Sequence, residues 1–179
     1  MLGLLRRGRH ERAGLELYGT AVAAARDPYL YVSLGVPDTV DGRFDLVGLH
    51  VYLVIRRLGR TPPPGPDVAQ AVFDTMFRDM DTSLREMGVG DLSVSKKVRA
   101  MWEAFHGRAA AYEAALADPE DKILADALAR NVWRGKPPGD SAAALARLVR
   151  AQDAHLAGQD AAALAAGRAT LLPAGAAAA

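Results

Sequence analysis

The fold is decided by the stretch Gly35–Leu58, GVPDTVDGRFDLVGLHVYLVIRRL. Its first part is rich in turn-forming residues, and its second part, Leu46–Ile55, has His50 as its one polar side chain. A helix that is apolar on all sides must be surrounded by protein or by lipid. Because this run is about ten residues long and a membrane span needs roughly 20, the stretch predicts a central helix wrapped by other helices.

The composition indicates an all-α protein. Apolar residues make up 50% of the 179 residues, and many of them are alanine, the strongest helix former. Few runs alternate β-branched and aromatic residues with polar ones, as a half-buried strand requires. A chain of this length is typical of one well-buried domain, so we expect a single compact helical domain.

Charge and cysteine content exclude several classes of function. The 22 basic residues nearly balance the 21 acidic ones, and the net charge of +1 leaves no footprint for direct nucleic-acid readout. The chain has no cysteine, which excludes disulfides, thiol catalysis and cysteine-ligated metals. A chain without disulfides also suits a reducing compartment.

Two long amphipathic helices are expected to form an antiparallel hairpin that packs on the central helix. The turn Gly88–Asp91 joins them. Further helices are predicted over Arg12–Arg26 and from Pro119 through Val132, with an extended piece or a helical turn at Tyr29–Val32. The two apolar stripes of the hairpin are Phe73, Met76, Phe77, Met80, Leu84 and Met87, and Val94, Val98, Met101, Trp102, Phe105, Ala109, Tyr112 and Leu116.

Proline and glycine mark the breaks between these helices. Loops are predicted at Gly35–Arg43, with Asp45 near the start of the helix that follows, and at Gly59–Asp67. A third break, Gly135–Asp140, ends a helical domain at residues 12–134. Residues 135–179 are expected to hold a loosely docked helix and then a disordered Ala-rich tail, because few large side chains remain to be buried. The thin apolar face of that helix comprises Leu145, Leu148, Val149, Gln152 and Leu156.

No motif of catalysis, cofactor binding or metal binding is visible. The chain lacks GxxxxGK[ST], GxGxxG after a strand and GxSxG, and its four histidines do not have metal-ligand spacing. Asp74, Asp79 and Asp81 would suit magnesium or a diphosphate if they converged, but helical geometry sends Asp79 to a different side. His50 is expected to be a core histidine. We therefore predict no cofactor, no metal and no catalytic residue.

Both ends of Gly35–Leu58 are chemically more specific than a scaffold requires. The first end contains Asp38, Asp41 and Arg43, which suit either a contact surface or a rigid turn with self-capping side chains. Arg56 and Arg57 at the other end suit an acidic or membrane-surface partner, or only complement the helix C-terminus.

The first residues, MLGLLRRGRH, do not support a secretory or twin-arginine signal, because the leucines precede the arginines. A frayed terminus is expected, with a presequence remnant or a membrane-surface anchor as alternatives. We therefore expect a cytoplasmic protein, with peripheral contact at the inner face of the membrane left open.

Three stretches resemble the ubiquinol–cytochrome c chaperones, which are assembly factors for cytochrome b of respiratory complex III. The likeness is closest to the short bacterial branch of that family, and the stretches occur in one order. They are ARDPYLYVSLGVPDTVDGRFDLVGLHVYLVIRRL (Ala25–Leu58), VFDTMFRDMDTSLREMGVGDLSVSKKVRAMWEAFHGRAAAYEAAL (Val72–Leu116) and LARNVW (Leu128–Trp133).

The resemblance implies an all-helical chaperone, not an enzyme, that binds newly made cytochrome b. Mitochondrial members also act with a small partner protein and near the ribosomal tunnel exit. The near-zero charge and the lack of a long basic extension argue against ribosome contact here. A holder of membrane segments needs an exposed apolar patch, and the candidates are Tyr29, Tyr31 and Phe44, with Arg43, Arg56 and Arg57 beside them.

Two other functions stay open. The same surface would serve an all-α adaptor that binds another membrane-associated protein. An enzyme acting on an isoprenoid or lipid-like molecule would need a closed cavity lined by Asp74, Asp79 and Asp81, whereas a solid core with those acids paired to arginines would exclude it.

Overall fold

The fold is a set of helices arranged around one central helix. The computed structural model describes residues 2–177, with side chains from Arg6 onward, and that part of the chain contains no strand. None of its helices has the length and apolarity that crossing a membrane requires. The helices are α1 (Leu2–Ala25), α2 (Pro28–Val32), α3 (Val40–Gly59), α4 (Gly65–Glu86), α5 (Asp91–Ala117), α6 (Asp121–Val132), α7 (Ser141–Ala157), α8 (Ala161–Ala165) and α9 (Ala174–Ala177).

Helix α3 is the central helix, as predicted. Its most extensive contacts are with α4 and α1, and α7 covers part of the remaining surface. Helix α5 packs against α3 near Gly48, where a Cβ would lie at an ordinary contact distance of 3.6 Å from the ring of Phe105. The all-α class and the central position of α3 are therefore confirmed. The α3 residues that are buried include Leu46, Leu49, Val51, Tyr52, Leu53 and Val54.

Two helices begin earlier than the sequence indicated. Helix α3 starts at Val40 and not after Arg43, because the Thr39 side chain accepts a hydrogen bond from the N–H of Gly42 (3.1 Å) and caps the helix. Helix α1 starts at Leu2, so the expectation of a frayed start does not hold for the described backbone.

The α4–α5 hairpin is present, but its apolar stripes are only partly covered. Met76 and Met80 are in the core, whereas Met87 is 54% exposed and Trp102 is 46% exposed. Apolar periodicity identifies the face that can be buried, but it does not say how far a neighbouring helix extends over that face.

The C-terminal region differs most from expectation. The five residues predicted as the apolar face of α7 are all buried. Residues 158–177 are ordered against the helices, so the disordered tail is a wrong prediction for this range. The Gln152 side chain holds the backbone of Leu172 by two hydrogen bonds (2.8 and 2.9 Å), and Asp27 accepts one from the N–H of Ala174 (2.9 Å). The tail lacks large apolar side chains, and hydrogen bonds from Gln152 and Asp27 to its backbone hold it against the helices instead.

Candidate functional site

The connection from α2 into α3, residues 31–44, is a closely packed corner, named here the α2–α3 corner. Gly42 allows the turn to close on itself, because a Cβ at this position would lie 2.0 Å from the carbonyl oxygen of Pro37. On the outside, the Arg43 Nε–H donates to Asp38 (2.6 Å). This exposed arginine lowers the pKa of Asp38, and Asp38 in turn raises the pKa of Arg43. The corner therefore presents a fixed pair of opposite charges.

The two tyrosines predicted for a contact surface lie in different settings. The Tyr31 hydroxyl donates to the carbonyl of Ala25 (2.9 Å), and burial raises the pKa of this phenol. Tyr31 is half-buried, and its ring belongs to the α2–α3 corner. The Tyr29 ring instead lies against α9 at Gly175. Tyr31 therefore lies with Asp38 and Arg43 at the α2–α3 corner, whereas Tyr29 contacts the C-terminal segment.

Sequence reasoning missed two exposed apolar side chains at this corner. Val32 is 83% exposed and Val40 is 56% exposed. Val32 ends helix α2 and Val40 begins helix α3, so they stand on either side of the turn. The position of the two valines in the sequence could have identified them, because both directly flank the turn-forming residues. Asp41 is exposed in the first turn of α3.

The inner side of the corner is fixed by a buried carboxylate, Asp45. Its side chain is 1% exposed, and its two oxygens lie 2.6 Å from Arg108 Nη1 and 2.8 Å from Arg134 Nη1. Burial raises the pKa of Asp45, and the two guanidinium groups oppose that increase. The Arg108 guanidinium also lies over the ring of Phe44, 5.5 Å from its centroid. Phe44 is thus half-buried and packs against the arginine of this ionic cluster.

Asp45 was expected only to complement the start of α3. Its partners come from α5 and from the end of α6, far away in sequence, so local spacing could not find them. Trp133 adds a second link, because its indole N–H donates to the carbonyl of Gly35 (3.1 Å). The α2–α3 corner is therefore held in place by α5 and by the α6–α7 connection.

The arginines at the far end of α3 have internal partners. The Arg56 side chain is 9% exposed and binds Glu113 (2.8 Å) and Asp153. Arg57 donates to two carbonyls at the end of α7, those of Leu156 (2.9 Å) and Gln159 (3.0 Å). The structure does not bring Arg56 and Arg57 together with the α2–α3 corner, and both link α3 to its neighbours.

The acids considered for a metal or diphosphate site do not converge. Asp74 accepts from Gln70 (2.7 Å), Asp79 from the hydroxyl of Tyr18 (2.7 Å), and Asp81 from Arg85 (2.6 Å). Among residues 2–177, no group of three or more histidine or acidic side chains is arranged to hold a metal ion. Of the three acids only Asp81 is paired with an arginine, but their separate partners argue against a shared metal or diphosphate site.

A family profile described as "Ubiquinol-cytochrome C chaperone" matches residues 32–171. The chain belongs to this family. The match includes Asp38, Asp41, Arg43, Phe44 and both arginines at the end of α3, while Tyr29 and Tyr31 precede it. It also continues through α7 and α8, well past residue 134.

Two proteins similar to this chain are a solved structure and a vertebrate relative. The crystal structure of the Cbp3 homolog from Brucella abortus is 35% identical, covers 97% of both chains and has a TM-score of 0.85. The ubiquinol-cytochrome-c reductase complex assembly factor 1 of Xenopus laevis is 25% identical over 120 residues, which are 67% of this chain. Those residues span 60% of the Xenopus protein.

Proposed function

We propose that this chaperone binds newly made cytochrome b while the ubiquinol–cytochrome c reductase complex is assembled. The observation that carries the proposal is the pair of exposed valines beside a fixed charge pair at the α2–α3 corner. The name of the Xenopus relative, an assembly factor of that reductase complex, supports the choice of client. The role is one of holding a protein client and involves no catalysis.

The α2–α3 corner suits a client that exposes apolar segments. Val32, Val40 and the ring of Phe44 supply apolar contact area, and Asp38, Asp41 and Arg43 supply charges that fix orientation. The buried Asp45 cluster holds this surface rigid before the client arrives, which reduces the entropy lost on binding. We leave Arg56 and Arg57 out of the contact surface, because their guanidinium groups bind other parts of the chain.

The proposal places the protein in the cytoplasm, with contact to the inner face of the membrane where the client is inserted. A small partner protein is compatible with it, and ribosome contact is not part of it. The competing function is an adaptor for another membrane-associated protein. Recovery of cytochrome b as the bound client separates the two.

The test is a pulldown from detergent-solubilised membranes with the variant Val32→Ser/Val40→Ser. We expect recovery of cytochrome b to fall about tenfold, which corresponds to a loss of about 0.7 kcal/mol for each of the two valines. The level of assembled reductase should fall with it. The matched control is Leu92→Ser/Ile123→Ser, which changes two exposed apolar residues (92% and 42%) on α5 and α6.

Two results would contradict the proposal. Full recovery of cytochrome b by the folded corner variant would remove the corner from the contact surface. Recovery of a different membrane protein, with normal reductase levels on deletion, would favour the adaptor. A loss confined to Trp102→Ser would instead assign client binding to the exposed aromatic residues of the α4–α5 hairpin.

A further inference from the structure

A cleft of about 920 Å³ lies between α1, the start of α4 and the end of α8. Its walls are the first half of α1, the prolines before α4, and the end of α8. The charged residues that line it are Arg6, Arg9, Arg12, Arg168, Glu16 and Asp67. Four guanidinium groups therefore share the cleft with two carboxylates.

The four arginines of the cleft have no hydrogen-bond acceptor or ion-pair partner within the described part of the chain. Arg7, on the same helix but outside the cleft, does bind an acid, Glu11 (3.2 Å). Arg43, Arg60 and Arg85 are likewise paired with acids. Like charges that face one space repel each other, and an anion placed between them relieves that repulsion.

The space between the arginines is kept open by very small residues. Ala162 and Ala165 of α8, and Ala166 directly after it, contribute only methyl groups to the wall. Gly167 has φ +86°, and a Cβ at this position would lie 2.9 Å from the Cα of Ala13, so glycine is needed for α8 to end against α1. The small side chains of this Ala-rich segment therefore leave the cleft unfilled on this side.

We propose that this cleft binds the phosphate group of a small anion. Arginine presents N–H groups in a planar fork that matches phosphate oxygens, and several arginines around one cavity are typical of phosphate recognition. The phosphate would come either from the headgroup of an anionic phospholipid or from a soluble phosphorylated compound. The inference concerns a site remote from the α2–α3 corner and does not depend on the identity of the client.

The test uses the full-length chain and four probes: inorganic pyrophosphate, vesicles of phosphatidylglycerol with phosphatidylcholine, vesicles of phosphatidylcholine alone, and an acidic peptide (polyglutamate). We expect pyrophosphate to bind and to raise the midpoint of thermal unfolding. Arg9→Ala/Arg168→Ala should lower the affinity for the phosphate probes about tenfold. Arg9→Lys/Arg168→Lys keeps the charge but loses the bidentate fork, and it should recover only part of the affinity.

The matched control is Arg78→Ala/Arg130→Ala, which removes the same charge from exposed positions outside the cleft. It should retain nearly full binding. Binding to the phosphatidylglycerol vesicles in addition to pyrophosphate identifies a lipid headgroup as the source, and binding to pyrophosphate alone identifies a soluble ligand.

Three outcomes would overturn the proposal. The first is no binding to either phosphate probe by the folded wild-type chain. The second is an equal loss in the cleft and control variants, because net charge alone would then account for binding. The third is binding of an acidic peptide without binding of phosphate, which would identify the cleft as a protein contact.

Discussion

The polar residues Asp45 and His50 lie one and a half turns apart on α3, and the protein accommodates them differently. Asp45 is paired with two arginines from distant helices. His50 lies in the core, where its Nδ1–H donates to the carbonyl of Leu46 (2.8 Å). A buried charge needs a partner of opposite sign, whereas a neutral imidazole needs only a hydrogen bond.

His50 makes the stability of the fold depend on pH. Burial lowers the pKa of His50 below its ordinary value, and the hydrogen bond to Leu46 opposes this only in part. In the unfolded chain the imidazole takes up a proton near pH 6.5, while in the fold it resists protonation. The neutral histidine is thus fully compatible with the fold above pH 6.5, and stability is lost as the pH falls below that value towards the lower, folded-state pKa.

We expect His50→Met to lose less stability than the wild type between pH 7 and pH 5, by on the order of 1–2 kcal/mol. Urea unfolding at a series of pH values measures the difference, and His106→Met, which changes an exposed histidine, is the control. An equal fall in the free energy of unfolding between pH 7 and pH 5 for His50→Met and the wild type would show that His50 does not cause the loss of stability in acid.

The sequence predicted His50 correctly as a core histidine, because no second metal ligand or catalytic partner stood at helical spacing. It did not predict the role of Asp45. A lone acid near a helix start is usually explained by the helix dipole, and its true partners, Arg108 and Arg134, are separated from it by whole helices. Local patterns cannot reveal pairs of this kind.

At the scale of elements, the close contact between α1 and α4 depends on one glycine. A Cβ at Gly14 would lie 2.7 Å from the backbone and side chain of Ala71, so the two helices touch at this point. Gly19 lies in the same helix, and a Cβ there would have no atom within 4 Å. The two glycines have the same intrinsic helix propensity, but Gly14 is packed against α4 and Gly19 has open space beside it.

Gly14→Ala is expected to lower the free energy of unfolding by about 1–3 kcal/mol, because the helices must separate to fit the methyl group. Gly19→Ala should raise it by about 0.5–1 kcal/mol, since alanine loses less backbone entropy in a helix. Chemical denaturation of both variants tests the pair. A stabilising Gly14→Ala would mean that α1 and α4 are less tightly packed than the structure describes.

Helix type and order could be predicted from sequence, and helix ends less well. Periodicity placed α4 and α5, but α3 begins at Val40 because of a side-chain cap by Thr39 that no apolar pattern reports. The α2–α3 corner was found from its turn-forming residues. The exposure of Val32 and Val40 was missed, because the sequence beside a turn does not show whether another element covers an apolar side chain.

At the scale of the whole molecule, hydrogen bonds from two glutamine side chains hold the C-terminal segment against the helices. Gln152 is 1% exposed and holds Leu172 by two hydrogen bonds, while Gln159 donates to the carbonyl of Thr170 (2.8 Å) and accepts from its N–H (2.9 Å). Composition alone suggested disorder, since alanine and glycine offer little area to bury. It could not indicate that two glutamines of the preceding helix and loop would bind the backbone of the tail.

Truncation after Gly158 is therefore expected to lower the free energy of unfolding by about 3 kcal/mol or more. It removes the two hydrogen bonds between Gln152 and Leu172, each worth about 0.5–1.5 kcal/mol, and it removes the buried side chain of Leu164. Full-length Leu164→Ala removes only that apolar anchor and should cost about 2 kcal/mol. Urea unfolding separates the two contributions, and a truncated chain as stable as the full-length one would show that the tail binds without stabilising the fold. Because the truncation also removes α8 and Arg168, the shortened chain should lose affinity for pyrophosphate.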